Sequence, residues 1–194
     1  QVIDDTLYFT ADNDTYGKEL WKTDGTPEGT LLVRDIYDGW QDSNPSNITQ
    51  MGQMLYFSAK SNDNGRELWK SDGTLTGTIL IKDIITGSTS AAPSELTVLN
   101  DNELYFAADD DIHGREIWRS DGTESGTVLV TDIVSDATGT SPNKLLAYGN
   151  ALYFSADDGV HGKELWVYNS VPQTTTLLKD IYPLAQDANP SNLW

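Results

Sequence analysis

Cysteine is absent from all 194 residues, so disulfides and thiolate metal sites are excluded. Basic residues are scarce: 12 Lys and Arg stand against 30 Asp and Glu, for a net charge of −18. Such a balance opposes nucleic acid and anionic membranes, both of which attract basic patches. No apolar run is long enough to span a bilayer, which predicts no membrane insertion. An initiator Met and a signal segment are also missing, the reading expected of a trimmed product or an excerpt. Histidine occurs twice, at His113 and His161, too few and with no local spacing for a zinc site. No phosphate loop, nucleophile elbow or Ser-His-Asp motif is present, so the sequence predicts no enzyme and names no catalytic residue.

What is present is one unit written four times. Leu-Tyr-Phe-x-Ala begins at Leu7, Leu55, Leu104 and Leu152, at spacings of 48, 49 and 48 residues. Each is followed by a Gly-containing turn and Glu-Leu/Ile-Trp, with the Trp at 21, 69, 118 and 166. Asp-Gly-Thr-x-x-Gly-Thr follows in the first three copies, from Asp24, Asp72 and Asp121; the fourth has VYNSVPQT instead. A loop then reaches a Pro at 45, 93, 142 or 190. The copies are bounded at about 7–54, 55–103, 104–151 and 152–194, with residues 1–6 expected to complete the last one as a strand. Trp194 and Gln1 meet in register when the ends are joined.

Each copy is rich in β-formers and punctuated by Gly turns, which predicts four strands; the fourth, such as Leu96–Leu99, follows the Pro loop. In Leu-Tyr-Phe the Leu and Phe face one way and the Tyr the other. Apolar residues on both faces imply a sheet covered on both sides. An all-β propeller follows, with four blades of four antiparallel strands, closing alone or forming half of an eight-bladed ring. Partners of that kind are a second copy or neighbouring repeats of a longer chain. The charge is not spread evenly. Ten bases and eleven acids occupy repeated positions, leaving −17 of the −18 in variable loops and turns.

The segments ELWKTDGTPEGT, ELWKSDGTLTGT and EIWRSDGTESGT resemble the bacterial ELWxxDGT repeat family. The resemblance implies a secreted or cell-surface protein with propeller-like repeats and no stated reaction.

The repeated residues are read as structural, because every blade needs the same packing. Trp21, Trp69, Trp118 and Trp166 are packing residues. The Glu before each Leu/Ile-Trp is a polar contact between blades or a turn brace. Asp24, Asp72 and Asp121 are turn formers that accept backbone N–H groups. His113 and His161 are read as residues tolerant of left-handed geometry. Candidate chemistry lies in the turn after Leu-Tyr-Phe-x-Ala, which opens as a calcium loop does, with oxygens alternating before a glycine. Asp12 and Asp14, Asp109 and Asp111, and Asp157 are the candidate Ca²⁺ ligands, while Lys60, Ser61 and Asn62 break the pattern in the second copy. Aromatics outside the shared pattern are Tyr16, Tyr37, Trp40, Tyr148, Tyr182 and Trp194. Of these, Trp40 with Tyr37 is the candidate platform for a sugar ring. The functional expectation is a non-catalytic binding or scaffold module with a protein or glycan ligand. The alternatives are a calcium-assisted carbohydrate-binding propeller and, more distantly, a polysaccharide-active domain.

Overall fold

The computed structural model describes residues 1–183 and 185–193. They form sixteen strands and, among the described residues, no helix. Two compact units divide the chain, Gln1–Pro93 and Ser94–Trp194.

The first unit holds two four-stranded antiparallel sheets. One is β1 (Val2–Ile3), β2 (Thr6–Asn13), β3 (Gly17–Thr23) and β4 (Leu31–Arg34); the other is β5 (Ser46–Met51), β6 (Met54–Lys60), β7 (Arg66–Ser71) and β8 (Ile79–Lys82). The second unit repeats the plan. Its sheets are β9 (Ser94–Leu99), β10 (Glu103–Ala108), β11 (Glu116–Ser120) and β12 (Val128–Leu129), then β13 (Asn143–Tyr148), β14 (Ala151–Asp157), β15 (Lys163–Asn169) and β16 (Thr174–Lys179). Strands neighbour one another in chain order, as short antiparallel connections require.

The phase of the repeat differs from the sequence expectation by one strand. The strand after each Pro loop is not the last of its own sheet but the first of the next: Leu99 faces Glu103, and Met51 faces Met54. Residues 1–6 likewise do not complete the final sheet. Val2 and Ile3 pair with Leu7 and Thr6 in the first. The reason is local. Two or three residues separate the Pro-loop strand from the strand that carries Leu-Tyr-Phe, which suits a hairpin, whereas eleven residues lie between β4 and β5.

The opposed faces of Leu-Tyr-Phe are realised within each unit. Leu55, Phe57, Ala59 and Trp69 of the second sheet pack against Ile3, Tyr8, Leu20, Val33 and Ile36 of the first. In the second unit Leu152, Phe154, Ala156 and Trp166 meet Leu99, Tyr105 and Ile117. Tyrosine points forward to the following sheet, and Leu and Phe point back to the preceding one. The Tyr105 and Tyr168 rings meet tilted at 47°, with centroids 5.7 Å apart. Repeated bases add latches in the same direction: Lys22 Nζ donates to the Gly73 carbonyl at 2.8 Å, and Arg34 donates to that of Thr78 at 2.6 Å.

The Asp-Gly-Thr turn explains itself. Asp72 Oδ1 accepts both the N–H and the hydroxyl of Thr74, and the Thr74 hydroxyl oxygen accepts the Gly77 N–H. Asp24 and Asp121 do the same, which bears out the turn-former reading. Gly73 adopts φ +83°, and a Cβ on Gly77 would fall 2.0 Å from Asp72 Oδ1. The motif is thus specified by its own packing. Gly77→Ala is expected to cost about 2 kcal/mol, read by urea unfolding. In the fourth copy the motif gives way to a shorter connection between Lys163–Asn169 and a longer outer strand, Thr174–Lys179.

Candidate functional site: a cleft at one end of the first sheet

In an up-and-down sheet, alternate connections emerge at the same end. The β2–β3 turn and the β4–β5 loop are such a pair. Between them lies a cleft of about 520 Å³. Asp12, Asn13 and Asp14 line it from the turn, and Tyr37, Trp40, Gln41 and Asp42 from the loop. Lys60, at the end of β6, supplies its one basic group. Four of the sequence-derived candidates, Asp12, Asp14, Tyr37 and Trp40, are therefore brought together.

The loop is held from three sides. Glu19 is wholly buried and accepts the N–H groups of Ile36, Tyr37 and Ser43 at 3.1–3.3 Å and the Ser43 hydroxyl at 2.5 Å. Asp42 Oδ1 accepts the Lys18 N–H at 2.8 Å, so this carboxylate is part of the frame. Asp38 and Asn62 exchange two hydrogen bonds of 2.9 Å, tying the loop to the turn of the next copy. On the facing turn, Asn13 Oδ1 accepts the N–H groups of Thr15 and Tyr16. Trp40 stands on this frame 77 % exposed. The Lys60 ammonium lies 5.3 Å from the centre of the Tyr37 ring, within cation–π range. An exposed indole beside carboxylates, amides and one ammonium offers an apolar face together with donors and acceptors. That combination suits a ligand with both flat apolar patches and hydroxyl groups.

A smaller cleft of the second unit, of about 350 Å³, joins Val134 and Thr138–Ser141 of the β12–β13 loop to Asp157, Gly159 and Lys163 at the β14–β15 turn. Ala137 stands there in the place of Trp40 and Val134 in that of Tyr37. The aromatic pair belongs to the first loop. Trp194 lies outside the described residues, while Tyr148 and Tyr182 are exposed elsewhere.

The remaining turn carboxylates serve their own backbones. Asp109 Oδ1 accepts the Asp111 N–H, Asp157 Oδ1 accepts that of Gly159, and Asp111 itself takes φ +64°. Among the described residues, no three acidic or His side chains gather as a metal-binding group. The histidines are not held in left-handed geometry, contrary to expectation. His113 Nδ1 pairs with Asp110 Oδ2 and His161 Nδ1 with Asp158 Oδ2, each at 2.7 Å, and the same Asp accepts two backbone N–H groups of its turn. The carboxylate raises the pKa of each imidazole. Burial pushes Asp110 and Asp158 up, but the bonds from His and backbone override it and lower them overall. The signal was the spacing: Asp three residues before His.

No family model and no curated protein matches the sequence. Solved structures do match the fold. Puromycin hydrolase, in an S511A mutant complexed with PGG, aligns over 95 % of this chain with a TM-score of 0.60 and 11 % identity. Prolyl oligopeptidase B from Galerina marginata aligns over 90 % with a TM-score of 0.54 and 16 % identity as the apo protein. Its H698A mutant, bound to a 35mer hydrolysis and macrocyclization substrate, aligns over 92 % with 0.54 and 15 %. The chain covers 28 % of the first of these proteins and 25 % of the others.

Proposed function

We propose that this chain is a non-catalytic β-propeller module that binds a carbohydrate in the Trp40 cleft. The four sheets are read as successive blades. Their likeness to the propeller domains of the two peptidases supports that reading, as do the forward and backward faces that interlock within each unit. The observation carrying the binding function is the convergence of Tyr37 and Trp40 with Asp12, Asn13, Asp14 and Lys60 around one cleft. Trp40 stacks on a sugar face, and the turn carboxylates and amides accept or donate to its hydroxyls. The acidic loops and the resemblance to secreted repeats favour a place outside the cell.

A glycan array followed by calorimetry on the best binder tests this. Trp40→Ala is expected to remove about 2 kcal/mol of binding, a loss of about 30-fold in Kd, with unchanged melting. Equal affinity for variant and parent, or no glycan bound by the parent, would refute the reading.

A further inference from the structure

The Trp40 cleft carries more acid than a neutral sugar calls for. Three carboxylates line it, those of Asp12, Asp14 and Asp42, against the single ammonium of Lys60. They are not equivalent. Asp42 holds the Lys18 N–H and belongs to the frame. Asp12 and Asp14 are exposed, and among the described residues neither carboxylate takes part in a hydrogen bond or an ion pair. Their turn is closed by Asn13 instead, whose Oδ1 accepts the Thr15 and Tyr16 N–H groups. In the same turn of later copies, Asp109 and Asp157 are engaged by their own backbones. The first turn alone pairs an Asn closure with two idle carboxylates facing an aromatic loop.

The Lys60 ammonium shows what such a place accommodates. It lies 5.3 Å from the centre of the Tyr37 ring and, among the described residues, in no ion pair. A positive nitrogen thus rests on an aromatic face beside the acids. Trp40 offers a second face, of the ring type that attracts cations most strongly, and this one is open. The smaller cleft of the second unit has neither feature. Among the described residues no aromatic lines it, and its one carboxylate, that of Asp157, is balanced by one ammonium, that of Lys163. Excess acid and exposed indole are therefore present together in the first cleft and absent together from the second. Around the cleft, the acidic loops of a chain with net charge −18 draw cations inward.

We infer that the Trp40 cleft selects sugars bearing a free amine, with the sugar ring stacked on the indole and its ammonium directed at Asp12 and Asp14. The inference rests on the carbohydrate reading of the cleft and narrows it. An N-acetylated sugar lacks the charge, and a uronate carries the opposite one.

Calorimetric titration of the parent with β-1,4-linked oligomers of glucosamine, N-acetylglucosamine and mannuronate, all of equal length, tests the selectivity. At about pH 6 the aspartates are ionised and the amines protonated. The glucosamine oligomer is expected to bind about tenfold more tightly than its N-acetylated form at low salt, and the mannuronate oligomer more weakly than either. At ~0.5 M salt the preference should shrink to about threefold. Asp12→Asn combined with Asp14→Asn keeps the shape of both side chains and removes their charge, so its preference should fall below about twofold. Trp40→Ala should weaken every oligomer that binds. Far-ultraviolet circular dichroism confirms that each variant is folded. N-acetylated or mannuronate oligomers bound as tightly as the amine form, and still weakened by Trp40→Ala, would overturn the amine preference and leave the carbohydrate reading standing. An undiminished preference in the double variant would do the same. Oligolysine bound more tightly than the glucosamine oligomer would overturn it in favour of a basic peptide. A parent that binds none of the oligosaccharides would refute both readings.

Discussion

Glu67→Ala is expected to destabilise the protein by about 4 kcal/mol, since it leaves one buried and one partly buried N–H group without an acceptor, at about 1–3 kcal/mol each, and a void besides. Glu67 is wholly buried, with the Ile84 N–H on one oxygen at 3.1 Å and the Ala91 N–H on the other at 3.0 Å. Those groups fix the two ends of the loop leading out of β8. The arrangement recurs. Glu116 accepts the Thr131 hydroxyl and the Thr140 N–H, each at 2.9 Å, and Glu164 accepts the N–H groups of Ile181 and Tyr182. Glu67→Gln keeps one acceptor but turns its amide toward a donor, so about half the loss is expected. Calorimetric melting should show a fall of about 10 °C for the alanine variant, at ~2–4 °C per kcal/mol in a chain of this size. A fall of a degree or two would show that the loop does not need its brace.

The protein is also expected to be more stable at pH 5 than at pH 8, by a margin of several degrees in Tm. Burial pushes Glu19, Glu67 and Glu116 up to about 7 from an ordinary 4.5, against the pull of the bonds they accept. The folded state therefore holds protons that the unfolded chain releases. The stabilisation is complete below about 4.5 and is lost as pH rises through about 7. His113 and His161, raised by their Asp partners, act in the same direction at higher pH. At the acid end, Asp24, Asp72 and Asp121 are held below the ordinary carboxylate range, chiefly by the Thr hydroxyl of each turn. Their contribution is present above about 3.8 and lost as pH falls further, which places the optimum near pH 4.5–5.5. Melting curves from pH 3 to 9 test this, and the triple Glu→Gln variant should flatten the limb between 5 and 8. A parent more stable at pH 8 than at pH 5 would contradict it.

The sheets were legible in the sequence because Leu-Tyr-Phe states its two faces directly: Leu55 and Phe57 turn back, and Tyr8 and Tyr105 turn forward. The turn chemistry of Asp24, Asp72 and Asp121 was legible as well, since it is settled within six residues. Strand phase was not. A linear repeat has no marked beginning, and the hairpin pairings, Val2 with Leu7 and Met51 with Met54 among them, fix where a sheet starts. The cleft was half legible. Asp12, Asp14, Tyr37 and Trp40 stood out one by one, yet their convergence follows from strand parity, which places alternate connections at one end. Lys60, Asn13 and Gln41 carried no mark of their own. The sequence reads Glu19 as a polar contact between blades or a turn brace, and it braces a loop; its complete burial was not legible, because it exists only once that loop folds over it.

The Glu brace also bears on how the chain is made. Its reach is the same in three copies: Glu19 to Ser43, Glu67 to Ala91 and Glu116 to Thr140 are each 24 residues apart. The far end of every brace lies past the sheet that supplies the carboxylate. A sheet leaving the ribosome thus stays wet and unlatched until those residues have followed it into the open. Its carboxylate sheds water only when the start of the next copy swings back across it. Closure therefore trails synthesis by half a copy, and the newest sheet is always the unlatched one.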